Sequence, residues 1–294
     1  MDKEGTTAVT VLRNILAASR PISWVNTAFP FGLAYLLSGG GTDWLFWVGV
    51  VFFLIPYNIA MYGINDVFDY ESDIRNPRKG GVEGAVLPKS MHAPLLWASA
   101  VTTIPFLVVM YATGTWISAI WLTVAMAAVV AYSAPPMRFK ERPLIDSITS
   151  STHFVTPAIV GATILDADTS QYFWYAAGAF FLWGMASHAL GAVQDVRADR
   201  EGGLSSIATA FGARITTRLA AAAYLVAALL LFALPAPGWI VGIAGLGYVA
   251  NTLRFWNISD ATCEDANSSW RVFLWLNYLV GAIVTMSLVW VFFG

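Results

Sequence analysis

The chain has 294 residues, of which 57% are hydrophobic and 12% charged, with a formal net charge of −2 and a mean hydropathy of +0.64. Soluble domains carry about 25% charged residues, so the composition excludes one and points to a protein embedded in lipid, with no basic surface for a nucleic-acid partner. The single Cys263 excludes a disulfide within the chain.

A helix crossing a bilayer needs roughly 20 mostly apolar residues. Nine such windows follow one another: 22–38, 44–64, 95–111, 116–132, 144–164, 172–193, 217–234, 239–255 and 272–293. The first has no small-residue cleavage pattern after it and reads as a retained helix rather than a signal peptide. All 16 Lys and Arg fall into alternate connections or, for Arg218 and Arg254, just inside the window end beside one. Lys3, Arg13 and Arg20 precede the first window; Arg75, Arg78, Lys79 and Lys89 follow the second; Arg138, Lys140 and Arg142 follow the fourth. Arg197, Arg200, Arg214 and Arg218 follow the sixth, and Arg254 and Arg271 lie between the eighth and ninth. The other connections hold only Asp43, Asp166 and Asp168 as charges. By the positive-inside rule the N-terminus is cytoplasmic and the C-terminus lies across the membrane. One missed or invented helix would scatter the basic residues over both faces.

The second window runs into "NDVFDYESD", which carries Asp66, Asp69 and Asp73 at i, i+3 and i+7, one face of a helix. The sixth runs into "QDVRADREGG", with Asp195 and Asp199 at i and i+4. Both clusters fall where an even-numbered helix reaches the cytoplasmic side, so they can face one cavity. Carboxylates so close repel unless something positive lies between them. Hard oxygen donors with room for water suit Mg²⁺ bridging to phosphate. The ordinary explanation for one acidic loop beside arginines is a solvated ion-pair surface; two helically spaced clusters on one face favour a metal–diphosphate site. Their basic neighbours Arg75, Arg78, Lys79, Arg197 and Arg200 can pair with the acids or hold phosphate oxygens.

"NDVFDYESD" matches the N-D-x-x-D-x-x-x-D pattern of the UbiA-type intramembrane prenyltransferases, with Asn65, Asp66, Asp69 and Asp73 in place, and "DVRADREGG" resembles that family's second motif through Asp195 and Asp199. The nine-helix pattern and "YSAPPMRFKERP" are also similar, so the resemblance covers nearly the whole chain. Many relatives carry a further acid four residues after the second Asp, where this chain has Gly203, with Glu201 out of that register. The resemblance implies a single all-α membrane domain over 1–294, nine transmembrane helices around a central cavity, in the plasma membrane with the site open to the cytoplasm. It implies two Mg²⁺ ions on Asp66, Asp69, Asp73, Asp195 and Asp199, neutralising the diphosphate of an allylic prenyl donor. Its departure leaves an allylic cation in an apolar cavity that excludes water. Asn65, Arg75, Lys79, Arg138 and Lys140 would hold the diphosphate, with Arg20 a further basic residue at the entrance.

"IRNPRKGGVEGAVLP" resembles the lycopene elongases of carotenoid biosynthesis, which implies transfer of C5 units from dimethylallyl diphosphate to lycopene; Gly80, Gly81 and Gly84 would let a loop close over a ligand. An apolar acceptor demands few polar groups in the cavity. Asn58 and Tyr62 lie below Asp66 on one helical stripe and His188 two turns below Asp195. They are the candidates for lining the acceptor cavity or taking the final proton, although such residues in membrane helices more often bond a neighbouring helix. An aromatic acceptor of quinone biosynthesis is the alternative within the enzyme class, and would want a polar anchor in the cavity. A cation transporter is the alternative outside it, and predicts charges near mid-membrane. Within the nine windows the charge to weigh is Asp146, near the start of the fifth.

Overall fold

Pro56 has no N–H to give the carbonyl one turn back, so an apolar run through it cannot form one regular helix. The computed structural model, which describes residues 8–74 and 87–293, accordingly divides the second window into α3, Trp44–Leu54, and α4, Pro56–Phe68. Inside lipid the freed backbone groups must be satisfied by protein. Thr27 Oγ1 donates to the Phe53 carbonyl at 2.6 Å, and Asn58 Nδ2 reaches the Phe53 and Leu54 carbonyls at 2.8 and 3.1 Å.

The other helices, numbered with these in chain order, are α1 (Ala8–Ala18), α2 (Val25–Leu37), α5 (Tyr70–Asp73), α6 (His92–Thr113), α7 (Trp116–Ser133), α8 (Ile145–Thr163), α9 (Gln171–Val193), α10 (Val196–Glu201), α11 (Ile207–Phe232), α12 (Gly238–Leu253) and α13 (Ala266–Phe293). Each predicted window falls on a helix. Six segments among the described residues are long and apolar enough to cross a membrane: Trp44–Phe68, Lys89–Thr113, Trp116–Ser133, Gln171–Val193, Ile207–Phe232 and Asp260–Phe292. The helices of the first and eighth windows are shorter, and α8 is diluted by Ser and Thr.

One boundary differs by ten residues from the predicted window. α11 begins at Ile207, where Ser206 and Thr209 form a reciprocal capping box. Arg214, expected before the window, therefore stands on the helix with Arg218. Their stems follow it and their guanidinium groups reach the Ile258 and Trp256 carbonyls, at 3.3 and 3.2 Å.

The packing divides into two units. Unit one comprises Met1–Arg138 and His153–Thr169. Its core joins rings of α2, α3 and α4: Phe31–Phe53 centroids lie 5.2 Å apart, Phe52–Phe53 4.8 Å and Phe53–Tyr57 5.2 Å. α2 comes this close because glycines face it. A Cβ on Gly49 would overlap the Phe31 ring, and one on Gly161 would lie 2.3 Å from the Phe31 carbonyl oxygen. At the start of α3, Asp43 accepts from the Phe46 N–H at 3.0 Å and from Tyr35 Oη. That backbone N–H holds its carboxyl below the usual range.

Unit two comprises Phe139–Thr152 and Ser170–Gly294. Here α9, α11, α12 and α13 pack around Trp183, Tyr224, Tyr248 and Phe273, with Tyr224 stacked on Tyr248 at 5.3 Å. Cys263 is free and buried.

Candidate active site

In unit one the site grows from the end of α4. Tyr62, Asn65, Asp66 and Asp69 recur along it at helical spacing, and Asp66 and Asp69 are only 6% and 5% exposed. The helix runs to Phe68, turns at Asp69 (φ −97°, ψ −3°) and resumes as α5. The single helix expected for the motif is thus interrupted at its middle acid. Asn65 Nδ2 donates to Asp69 Oδ2 at 2.6 Å and to Ser133 Oγ, at the end of α7, at 2.8 Å. This amide orients the carboxylate.

Arg20 faces the same cluster. It sits in a left-handed conformation (φ 51°) just before Pro21, at the turn between α1 and α2. Its Nη2 lies 3.0 Å from Asp66 Oδ1 and its guanidinium 4.3 Å from the centroid of the Tyr62 ring. A charge-assisted hydrogen bond and a cation–π contact in a nearly buried place outweigh their exposed counterparts. Arg20 therefore belongs with the central residues, whereas the resemblance implied it only as a further basic residue at the entrance; Ser133 carried no signal at all.

Asn58 is fully buried, and its amide also donates to Thr27 Oγ1 at 2.8 Å. Its donors serve the α3–α4 break, while its Oδ1 has no hydrogen-bond partner among the described residues. Arg138 is half-buried with φ 40° after α7, and Lys140 half-buried in the following turn of unit two. Arg75, Arg78, Lys79, Gly80, Gly81 and Gly84 lie outside the described residues, as does the side chain of Asp73.

In unit two α9 ends at Val193 and Asp195 (φ −99°, ψ −3°) precedes α10, so the second motif also straddles a helix break. Gln194 is held there by Asn267 of α13, whose Nδ2 donates to Gln194 Oε1 at 2.7 Å. Buried Val196 anchors α10. The Asp199 N–H bonds the Asp195 carbonyl at 2.8 Å, which keeps the two acids one turn apart; both are half-buried. α10 then closes with Leu204 N–H on the Asp199 carbonyl and Gly203 N–H on the Arg200 carbonyl. This doubly bonded C-terminus needs a left-handed residue, supplied by Gly203 at φ 70°. Gly203 is therefore the residue that ends the helix. Glu201, two residues earlier, is exposed.

Arg200 pairs with a carboxylate outside both motifs. Nη1 lies 2.6 Å from Asp260 Oδ2, and Nε and Nη2 donate to the Thr209 carbonyl at 3.2 and 2.9 Å. Asp260 Oδ1 in turn accepts the Ala213 N–H at 2.7 Å, where α11 kinks at Gly212 (φ 78°). The kink leaves that N–H without a helical partner, and Asp260 supplies one. Asp260→Ala should lower stability by about 1.5 kcal/mol and activity about tenfold by loosening α10, with Asp260→Glu recovering part of both. Thermal unfolding and product formation measured on one membrane preparation check this.

Among the described residues no three metal-binding side chains converge. Mg²⁺ retains several waters and takes one or two carboxylates beside substrate phosphates. Two hard oxygen donors one turn apart, Asp66 and Asp69, almost withdrawn from solvent, fit that demand.

Comparison with known proteins agrees with this reading. Residues 27–279 match the UbiA prenyltransferase family. The chain is 68% identical, over 95% of its length and 97% of the relative's, to a lycopene elongase/hydratase of Corynebacterium glutamicum. It is 53% identical to a C(50) beta-cyclic carotenoids biosynthesis protein of Dietzia sp. (strain CQ4), over 95% of this chain and 65% of that one. Its fold is similar to a UbiA homolog from Archaeoglobus fulgidus bound to DMAPP and Mg²⁺, with a TM-score of 0.62 and 18% identity over 91% of this chain and 98% of that one. With both acidic motifs in place on an all-helical scaffold, the chain belongs to the UbiA prenyltransferase family and is similar, within it, to the lycopene elongases.

Proposed function

We propose that this prenyltransferase moves a C5 dimethylallyl group from its diphosphate to an apolar polyene such as lycopene, in carotenoid biosynthesis. The observation that carries the proposal is the pair Asp66 and Asp69, nearly buried at the end of an apolar helix beside Arg20. Such a place meets a water-soluble diphosphate head and a lipid-dissolved tail together. Asp66, Asp69, Asp73, Asp195 and Asp199 would hold Mg²⁺, which when bound neutralises the diphosphate and makes it a better leaving group. Arg20 holds Asp66 by one oxygen, and Asn65 does the same for Asp69. Each carboxylate then presents its oxygens in one orientation, so little reorganisation accompanies the departure of charge.

Arg138 and Lys140, with Arg75 and Lys79, would bind the diphosphate oxygens. The donor C–O bond breaks with its electron pair going to the diphosphate, and the double bond of the acceptor attacks the allylic cation. Apolar walls keep water from that cation. The Tyr62 ring carries Arg20. The reading takes 1–294 as one catalytic domain, with nine crossings of the plasma membrane, the N-terminus cytoplasmic and the site open to that side.

Membranes containing the protein, supplied with Mg²⁺, lycopene and dimethylallyl diphosphate, should yield products longer by one or two C5 units. Turnover of an aromatic acceptor together with none of lycopene would overturn the assignment.

A further inference from the structure

α1 holds none of the residues assigned to the reaction, yet it has two apolar faces. Its eleven residues, AVTVLRNILAA, give about 16 Å of helix rise. A hydrocarbon core is about 30 Å thick, so α1 cannot cross it. On the inner face Val11, Ile15 and Ala18 share one hydrophobic cluster with Val67, Met91 and Leu95. On the opposite face Val9, Leu12 and Leu16 form a stripe at i, i+3 and i+7. All three are exposed, Val9 to 77% and Leu12 to 58%. Arg13, also exposed, stands at the edge of the stripe.

The level at which α1 is held shows what covers that stripe. Val67 lies at the end of α4, Met91 directly before α6 and Leu95 in its first turn. These are the ends of two segments long and apolar enough to cross a membrane, Trp44–Phe68 and Lys89–Thr113. A helix fastened to both sits where hydrocarbon gives way to headgroups. There an outward apolar stripe with a cation at its edge meets acyl chains on one side and lipid phosphates on the other. Facing water, the same stripe would be an apolar patch without a partner.

We propose that α1 is an interfacial anchor whose Val9–Leu12–Leu16 stripe lies in the boundary layer of the bilayer, with Arg13 at the lipid phosphates. The anchor bears on the site through its last turn. The Ser19 N–H donates to the Ile15 carbonyl at 3.0 Å and the Arg20 N–H to the Ala17 carbonyl at 3.2 Å, while Trp24 Nε1 donates to the Ser19 carbonyl at 3.1 Å. Arg20, which meets Asp66, thus stands on the end of a helix whose depth is set by lipid. Only this consequence rests on the function proposed above.

A nitroxide on L12C, with the buried Cys263 replaced by Ala, reads the depth of α1 in liposomes of phosphatidylcholine and phosphatidylglycerol. Its collisions with oxygen should outweigh those with a water-soluble nickel chelate and place it about 5–10 Å inside the phosphates. The same label on exposed Glu264, as E264C, should show the reverse. An L12C label as open to nickel as E264C, or shielded from both reagents beneath another segment or a second copy, overturns the anchor. With lycopene as acceptor, L12E should raise KM for dimethylallyl diphosphate about tenfold with kcat within about twofold. L12W, which suits the interface, should leave both within about twofold. L12E kinetics equal to the wild type overturn the link to Arg20. A wild type that turns over no lycopene overturns the prenyl transfer proposed above, and the depth measurement then decides the anchor by itself.

Discussion

Asp66→Asn should lower the rate of product formation from dimethylallyl diphosphate by about 1,000-fold, with the protein still folded. The amide keeps an oxygen for Arg20 to bond but loses the charge a metal ion requires. Asp66→Ala should be as inactive and also less stable, because it strands the Arg20 guanidinium, whose side chain is 19% exposed, without its carboxylate. Comparing the two separates chemistry from folding. Asp195→Ala supplies a second comparison. Its activity should fall as far as in Asp66→Asn. Product formation and unfolding temperature measured on each preparation decide the matter. Appreciable turnover in folded Asp66→Asn or Asp195→Ala would mean that the chemistry lies elsewhere.

Gly161→Val should be the most damaging single change to unit one, costing about 3 kcal/mol. Even the Cβ of alanine would lie 2.3 Å from the Phe31 carbonyl oxygen and 3.2 Å from its Cα, so the clash is with backbone rather than a side chain that can swing away. Relief requires α8 and α2 to separate, and Phe31, fully buried against Phe53 and Tyr35, then loses its ring contacts. Gly281→Ala is the matched control: a Cβ there has nothing within 4 Å, and alanine should stabilise α13 by about 0.5 kcal/mol. Unfolding temperatures in detergent should move in opposite directions. Equal effects at the two positions would mean that α2 and α8 do not approach as closely as described.

The parts of this protein legible from sequence were those written in one-dimensional periodicities. Apolar windows marked the helices because lipid allows no other regular spanning segment except a closed barrel. The acid spacing of each motif was equally plain, since residues three, four and seven apart share a helix face wherever the helix lies. Local stereochemistry was readable in principle too, as Pro56 and Gly203 show: a missing N–H breaks a helix and a left-handed residue ends one. The partner of Arg200 was not legible because a guanidinium looks the same in sequence whether it meets a phosphate or Asp260, sixty residues away. The bonds of Asn58 were not legible because the carbonyls it serves were freed by a break two residues earlier.

Sequence by itself determined that the chain is helical, apolar enough for a bilayer, and furnished with two carboxylate motifs at helix ends, because composition and spacing are properties of the chain before it folds. Tertiary structure alone decided that Arg20 meets Asp66, that Arg200 serves Asp260, and that Ser147 lies between Asp146 and His188. Each of those pairings joins residues on different elements, and a hydrogen bond or ion pair exists only at the short range that packing creates.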